Sequence, residues 1–201
     1  LNTQKGSVMI LSCDENGFEK NEIDPILLES EYPLLGIIVP SIIYNDQKYN
    51  KGTLFIRVPD IMNVNIIRDI STKDYDMIDA VVESQINGFS DEIKTMFVYV
   101  DGLSKNIGTC VNVLFDNYGL DLNYIGGGSG SLSFEQKPSL FTNEGLLMDA
   151  FIYAYSRATS SVGVSHGWES ISGPYQVTKA EGTVIHEIDY KPAFEVYKEV
   201  V

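Results

Sequence analysis

The chain has 201 residues, enough for one large domain or two small ones, and its 44% hydrophobic content supplies a sizeable core. Lys+Arg 14 against Asp+Glu 28 gives a formal net charge of −14; so acidic a surface repels phosphate backbones and anionic lipid, which argues against nucleic acid and membrane surfaces as partners. No apolar run approaches the roughly 18 residues of a membrane-crossing helix, and the start at Leu1, with no signal-peptide pattern, is what a fragment or processed chain would show.

The elements follow in order. Ser7 to Ser12 reads as a buried strand. Asp24-Pro25 has the form of an N-cap followed by proline at the first helical position, with Ile26, Leu27 and Ser30 on one side of a short helix. Leu35 to Val39 is a second buried strand. Ile42–Tyr44 and Thr53–Val58 flank polar Asn45–Gly52, which predicts a hairpin. Val64–Arg68 is a further strand. Ile78, Val81, Val82 and Ile86 follow helical spacing, so a helix is predicted over Lys73–Ile86, capped by Thr72 and stopped at Asn87-Gly88. Met96–Val100 is a buried strand ending in Asp101-Gly102. A second helix, from a Ser104 cap to Gly119, places Ile107, Cys110, Val111, Leu114, Phe115 and Tyr118 on one face.

Leu122 to Ile125 then runs into Gly126-Gly127-Gly128-Ser129-Gly130-Ser131. Strand, helix, strand over this span predicts a βαβ unit, with Asp121–Ile125 as a central strand parallel to Met96–Val100. Glycines permit close backbone approach, and consecutive exposed amides can form an anion-binding nest; equally, such a cluster marks a turn between strands. No Lys-Ser/Thr follows, so a phosphate-binding P-loop is not indicated.

Beyond it the pattern changes. Ser139–Thr142 and Leu147–Ser156 bracket a turn at Asn143-Glu144-Gly145; Val162–Ser165, Tyr175–Ala180 and Val184–Tyr190 read as short antiparallel strands; Lys191-Pro192 opens a last helix carrying Phe194, Tyr197 and Val201. The expected fold is α+β: one domain over residues 1–201, with mixed β-sheet layers flanked by helices, a βαβ-containing first half and an antiparallel second half.

Four segments carry a resemblance: Ile125 to Gly130, Gly163-Val164-Ser165-His166-Gly167-Trp168, Val177-Thr178-Lys179-Ala180-Glu181-Gly182, and Ile188 to Tyr197. In this order they resemble the N-terminal FIST domain of signalling proteins. The ordered motifs cover the second half; the first half matches in its alternation of strands and helices. The resemblance implies an intracellular sensory module that binds small ligands, amino acids being the proposed class. It also implies a following C-terminal FIST domain that this chain lacks. The chain departs from the Gly-Cys-Ser/Thr-rich segment that the family often carries after its second strand: Gly36 is followed by Ile37-Ile38-Val39-Pro40-Ser41, an apolar substitution that argues against a polar ligand contact from this segment.

The expected ligand-binding residues are Asp101, Gly126, Gly127, Gly128, Ser129, Arg157, His166 and Trp168. Asp101 ends a buried strand, where ligands sit in open α/β sheets, and either holds a ligand ammonium or caps the next turn. Arg157 pairs with a ligand carboxylate or with a surface acid. His166 and Trp168 form a pocket wall, or a rim aromatic beside a histidine satisfied by backbone. Thr178 and Glu181 read as structural.

Ser129, His166 and Asp101 supply the residue types of a hydrolytic triad, but no G-x-S-x-G elbow places the serine, so no catalytic role is assigned. Cys13 and Cys110 belong to no C-x-x-C pair, and only His166 and His186 are available as histidine ligands. Buried free thiols in a cytoplasmic protein are expected, with no metal and no cofactor. The leading reading is a cytoplasmic, small-ligand-binding sensory domain; the alternative is a protein-interaction module that recruits a signalling partner without a ligand.

Overall fold

A computed structural model describes residues 6–86, 88–182 and 184–201. The chain forms two compact units that divide after Val162.

The first unit holds two mixed sheets. In one, β1 (Ser7–Cys13) lies parallel to β2 (Leu34–Val39) and antiparallel to β5 (Thr53–Val58); the hairpin β9 (Leu140–Thr142) and β10 (Gly145–Leu147) extends it beyond β2. In the other, β11 (Ala150–Ser156) sits antiparallel between β6 (Asn63–Arg68) and β7 (Thr95–Asp101), and β8 (Asn123–Ser129) runs parallel to β7. Among the described residues three α-helices belong to this unit: α1 (Lys20–Leu28), α2 (Tyr75–Gln85) and α3 (Ile107–Tyr118).

Period-2 alternation explains the layering, because side chains of one strand leave on both faces. On β1 and β2, Met9, Leu35 and Ile37 face the second sheet, while Ile10, Leu34 and Ile38 face α1 through Leu27. On β7 and β11, Tyr99, Ile152 and Ala154 face the first sheet; Met96, Val100, Phe151 and Tyr153 face Ile78 and Val82 of α2 and Cys110, Val113 and Leu114 of α3. The order is helix, sheet, sheet, helix, and the Tyr99 hydroxyl donates to Met9 Sδ at 3.0 Å between the sheets. Strands buried on both faces read as near-continuous apolar runs.

Several elements differ from the sequence expectation. α1 begins at Lys20, so Pro25 lies inside it and Asp24 is no cap; the Asp24 carboxylate instead accepts from the Leu146 N–H at 2.7 Å and pairs with Lys20 at 2.5 Å. Ile26 is exposed and only Leu27 of α1 is buried. The polar stretch after Tyr44 is not a long loop: β3 (Ile42–Tyr44) pairs with β4 (Gln47–Tyr49), because Asn45 and Asp46 both take positive φ, 48° and 60°, and close a two-residue turn that matches strand twist. Asp74, not Thr72, caps α2, accepting from the Met77 N–H at 3.0 Å; Asn87, half of the expected stop, lies outside the described residues. α3 starts at Ile107 rather than at Ser104, since the Ser104 N–H closes a turn onto the Asp101 carbonyl and Asn106, at φ 62°, donates to the carbonyls of Ile70, Ser71 and Lys73. Gly119 ends α3 at φ 74° as expected.

The second unit is a small antiparallel sheet, β12 (Val177–Glu181), β13 (Val184–Ile188) and β14 (Lys191–Pro192), followed by α4 (Ala193–Val200). The final helix starts at Ala193, not Lys191: Asp189 and Tyr190, at φ 50° and 62°, form a second tight turn that pairs Lys191 with Ile188. Val162–Ser165 is not a strand; residues 157–176 hold no regular element.

Candidate functional site

The expected βαβ unit is present as β7–α3–β8, with Met96 opposite Tyr124 and Val98 opposite Gly126 in parallel register. Two features differ from expectation. The glycines form no loop; Gly126, Gly127 and Gly128 continue the strand. And β8 is not central, since it ends its sheet and pairs on one side with β7. The close approach of β7 requires glycine here: a Cβ on Gly126 would fall 1.6 Å from the Val98 carbonyl oxygen.

The backbone direction along this edge follows from two bonds. Asn123 donates to the Lys94 carbonyl at 3.0 Å, and the Ser129 carbonyl accepts from Gly102 at 3.0 Å. Residues 123, 125, 127 and 129 therefore turn their polar groups toward β7. Alternation leaves the N–H and C=O of Tyr124, Gly126 and Gly128 on the outer edge. Gly130 keeps this phase, its N–H reaching the Ile38 carbonyl of β2 at 3.0 Å. Because successive amides alternate, Gly126 to Gly128 build no convergent anion nest; they present donors and acceptors at every second residue.

Register also puts Tyr124, Gly126 and Gly128 on the face covered by α3, beside Val98 and Val100. Two of these three positions lack side chains, so α3 rests on Tyr124 and leaves a gap over the glycines. The result is a cleft of about 290 Å³ between Val98, Val100 and Phe151 of the sheet, Val111 and Phe115 of α3, and the glycine backbone. Phe115 and Tyr124 close one end edge to face, their centroids 4.9 Å apart.

Asp101 ends β7, is 2% exposed, and accepts three N–H groups: Leu103 at 3.1 Å, Gln136 at 2.8 Å and Asp149 at 2.8 Å. Ser129, at the end of β8, shares a 2.6 Å hydrogen bond with Ser139. The segment 130–139 between them crosses to the other sheet. There Asp14, just after β1, accepts from the Leu132 N–H at 3.0 Å and pairs with Lys137 at 2.5 Å. Partial burial alone would raise the Asp14 carboxyl, but the Lys137 and Leu132 hydrogen bonds and the Lys137 charge outweigh it and hold the group below the usual carboxylate range. One strap thus hangs from Asp14, just after β1, and Asp101, the last residue of β7.

Arg157 makes a surface ion pair with Glu92 at 2.9 Å. In the second unit, His166 Nδ1 accepts from the Trp168 N–H at 2.9 Å across Gly167, and the Trp168 ring is 83% exposed. Thr178 Oγ1 accepts from the Tyr190 N–H at 2.9 Å, a structural role as expected. Val98, Val100, Val111, Phe115, Tyr124 and Phe151 read from sequence as core; the signal that they line a cleft is the i, i+2 glycine pair facing a helix. Among the described residues no cluster of three His, Cys, Asp or Glu side chains is placed to hold a metal ion, and no helix is long and apolar enough to cross a membrane.

Layered mixed sheets flanked by helices, with a glycine-floored cleft beside α3, define an α+β domain. Residues 8–191 match the FIST N domain, and the chain belongs to that family. The family is one of sensory domains in signal transduction, not a known enzyme family. No curated protein matches the chain.

Proposed function

We propose that this domain senses a small ligand that binds in the cleft between β8 and α3, and that the ligand is an amino acid with an apolar side chain. The observation that carries the reading is the meeting of two complementary surfaces. The cleft walls are apolar. The edge beside them offers the outward N–H and C=O groups of Gly126 and Gly128. An α-carboxylate takes one outward N–H, an α-ammonium takes a neighbouring outward carbonyl, and the side chain enters beneath α3. Small-ligand sites commonly combine apolar walls with a few convergent polar groups. Gly127 and Ser129 hold the strand to β7, and Asp101 fixes the strap at the carboxyl end of the parallel strands. Two buried free thiols, Cys13 and Cys110, support a reducing cytoplasmic setting.

A thermal-shift series over the amino acids tests this, because ligand binding stabilises the folded state by mass action. Leucine or phenylalanine is expected to raise the midpoint and aspartate to leave it unchanged. Gly128→Val places its Cβ a tight 3.3 Å from the Gly102 Cα, which must shift by a few tenths of an ångström, and fills the cleft. It should weaken calorimetric binding by at least about tenfold, equivalent to ~1.4 kcal/mol. Retained affinity in a folded Gly128→Val protein refutes the location.

A second reading, docking of a signalling partner, is favoured by α4. Phe194 and Tyr197 are 64% and 57% exposed, their rings stack at 6.2 Å, and Lys198 lies 4.6 Å over Phe194. In a longer protein carrying a following module, Phe194→Glu with Tyr197→Glu should loosen the two modules, as read by proteolysis between them.

A further inference from the structure

We propose a second ligand site, beneath the β3–β4 hairpin, that takes a small aromatic carboxylate. A pocket of about 240 Å³ lies there, lined by Cys13, Ile42, Tyr44, Tyr49, Lys51 and Leu54 together with the backbone of Gly52. It is separate from the cleft at β8, which lies on the other sheet.

The hairpin register builds one wall. Ile42 stands opposite Tyr49, and Tyr44 follows Ile42 by two residues, so these three side chains share one face and cover the pocket. Ile43 and Lys48 pair on the opposite face, directed away. Leu54 on β5 and Cys13 at the end of β1 form the floor. A two-stranded hairpin of three-residue strands has little stability of its own. It is held by a few bonds at its base: the Cys13 thiol donates to the Tyr49 carbonyl at 3.3 Å, and Cys13 N–H donates to the Gly52 carbonyl at 3.0 Å.

The charge at the mouth is what selects the ligand. Lys51 is exposed and makes no ion pair among the described residues. Its backbone is fixed through the next residue, because Asn16 clamps Gly52 from both sides, donating to its carbonyl at 2.8 Å and accepting from its N–H at 3.0 Å. In a chain of net charge −14, an unpaired cation at the rim of an apolar pocket is complementary to an apolar body with one negative head. The two tyrosine rings on the hairpin face suit an aromatic body, which packs against them edge to face or offset. The carboxylate meets the Lys51 ammonium, and the ring lies between Tyr44, Tyr49 and Leu54.

The test uses the whole 201-residue chain and the probe pair phenylacetate and phenylacetamide, which share the ring and differ in the charge. Calorimetry or NMR titration should show saturable binding of phenylacetate, with phenylacetamide at least about tenfold weaker. Lys51→Met, an exposed position, should abolish that preference, and Tyr44→Ala should weaken both probes. Phenylacetate should also slow iodoacetamide labelling of Cys13, read by peptide mass mapping, and leave Cys110 unaffected. Equal binding of acid and amide by the native chain overturns the proposal, as does the absence of saturable phenylacetate binding. Phenylacetate binding that survives Lys51→Met and disappears in Gly128→Val overturns it too, by assigning the probe to the other cleft.

Discussion

Gly36 and Gly126 hold equivalent places in the two parallel strand pairs. A Cβ at Gly36 would fall 2.0 Å from the carbonyl oxygen of Ile10, its partner across β1–β2, and one at Gly126 would fall 1.6 Å from that of Val98, its partner across β7–β8. Backbone oxygens cannot move aside as a side chain can, so either substitution forces the two strands apart. Gly36→Ala and Gly126→Ala are each expected to cost at least the roughly 1–3 kcal/mol typical of overpacking. Gly127, whose Cβ would meet nothing within 4 Å, provides the contrast. Urea titration should show Gly127→Val close to the native midpoint and both alanine variants well below it.

Acid sensitivity should come in part from Asp60. The Ser156 hydroxyl donates to its carboxylate at 2.6 Å and the Arg157 N–H at 2.8 Å. The Ser156 hydrogen bond is the largest influence; with the backbone donors and the Arg157 charge it outweighs partial burial and holds the group below its ordinary 3.8. The unfolded chain therefore takes up the proton first. The stabilisation is fully present above pH 3.8 and is lost as the pH falls below it through the folded value. Asp60→Asn should lower stability at neutral pH and flatten the loss below pH 3.8, measured by urea unfolding at each pH.

Asp74 carries the start of α2. Its side chain accepts from the Met77 N–H at 3.0 Å, the usual N-cap bond, so Asp74→Ala should cost about 1 kcal/mol. Thr72 donates its hydroxyl to the Asp69 carbonyl instead, and Thr72→Ala should cost less. Equal losses in a thermal melt of the two variants would return the cap to Thr72.

The thiol of Cys110 is pushed up to about 12 by burial. At neutral pH it is protonated as well as enclosed, and alkylation reports opening of the unit rather than intrinsic reactivity. Its labelling rate should rise with urea in step with loss of the fold.

The core was legible in the sequence because strands buried on both faces read as unbroken apolar runs, and β1, β2, β7, α2 and α3 fall where those runs and the helical spacing of Ile78, Val82, Cys110 and Leu114 place them. The parallel pairing of β7 and β8 followed from the helix between them. What misled was residue type standing for conformation. Asp24-Pro25 has the letters of a helix start, yet Asp24 is taken by the Leu146 amide. Gly126 to Gly128 has the letters of a loop, yet it continues the strand, and strand proximity requires glycine at 126. The cleft had no signature of its own, since its walls are core residues and its opening is made by side chains that are missing. Asp101 and Arg157 were legible as polar groups at strand ends, but their partners, Leu103, Gln136 and Asp149 for the one and Glu92 for the other, come together only in the fold.

The strap between β8 and β9 couples segments that are far apart along the chain: Leu132 reaches back 118 residues to Asp14, and Gln136 reaches back 35 to Asp101. The two anchors belong to different parallel strand pairs, so the strap is expected to fasten late in folding and to be released early in unfolding. Interactions made that late set how long the native state lasts rather than how fast it is reached. Asp14→Ala should accordingly raise the unfolding rate with little change in the folding rate, and a chevron plot would show the unfolding limb displaced and the folding limb in place. On that outcome the strap is a latch on lifetime, whose strength can change without altering the route by which the domain folds.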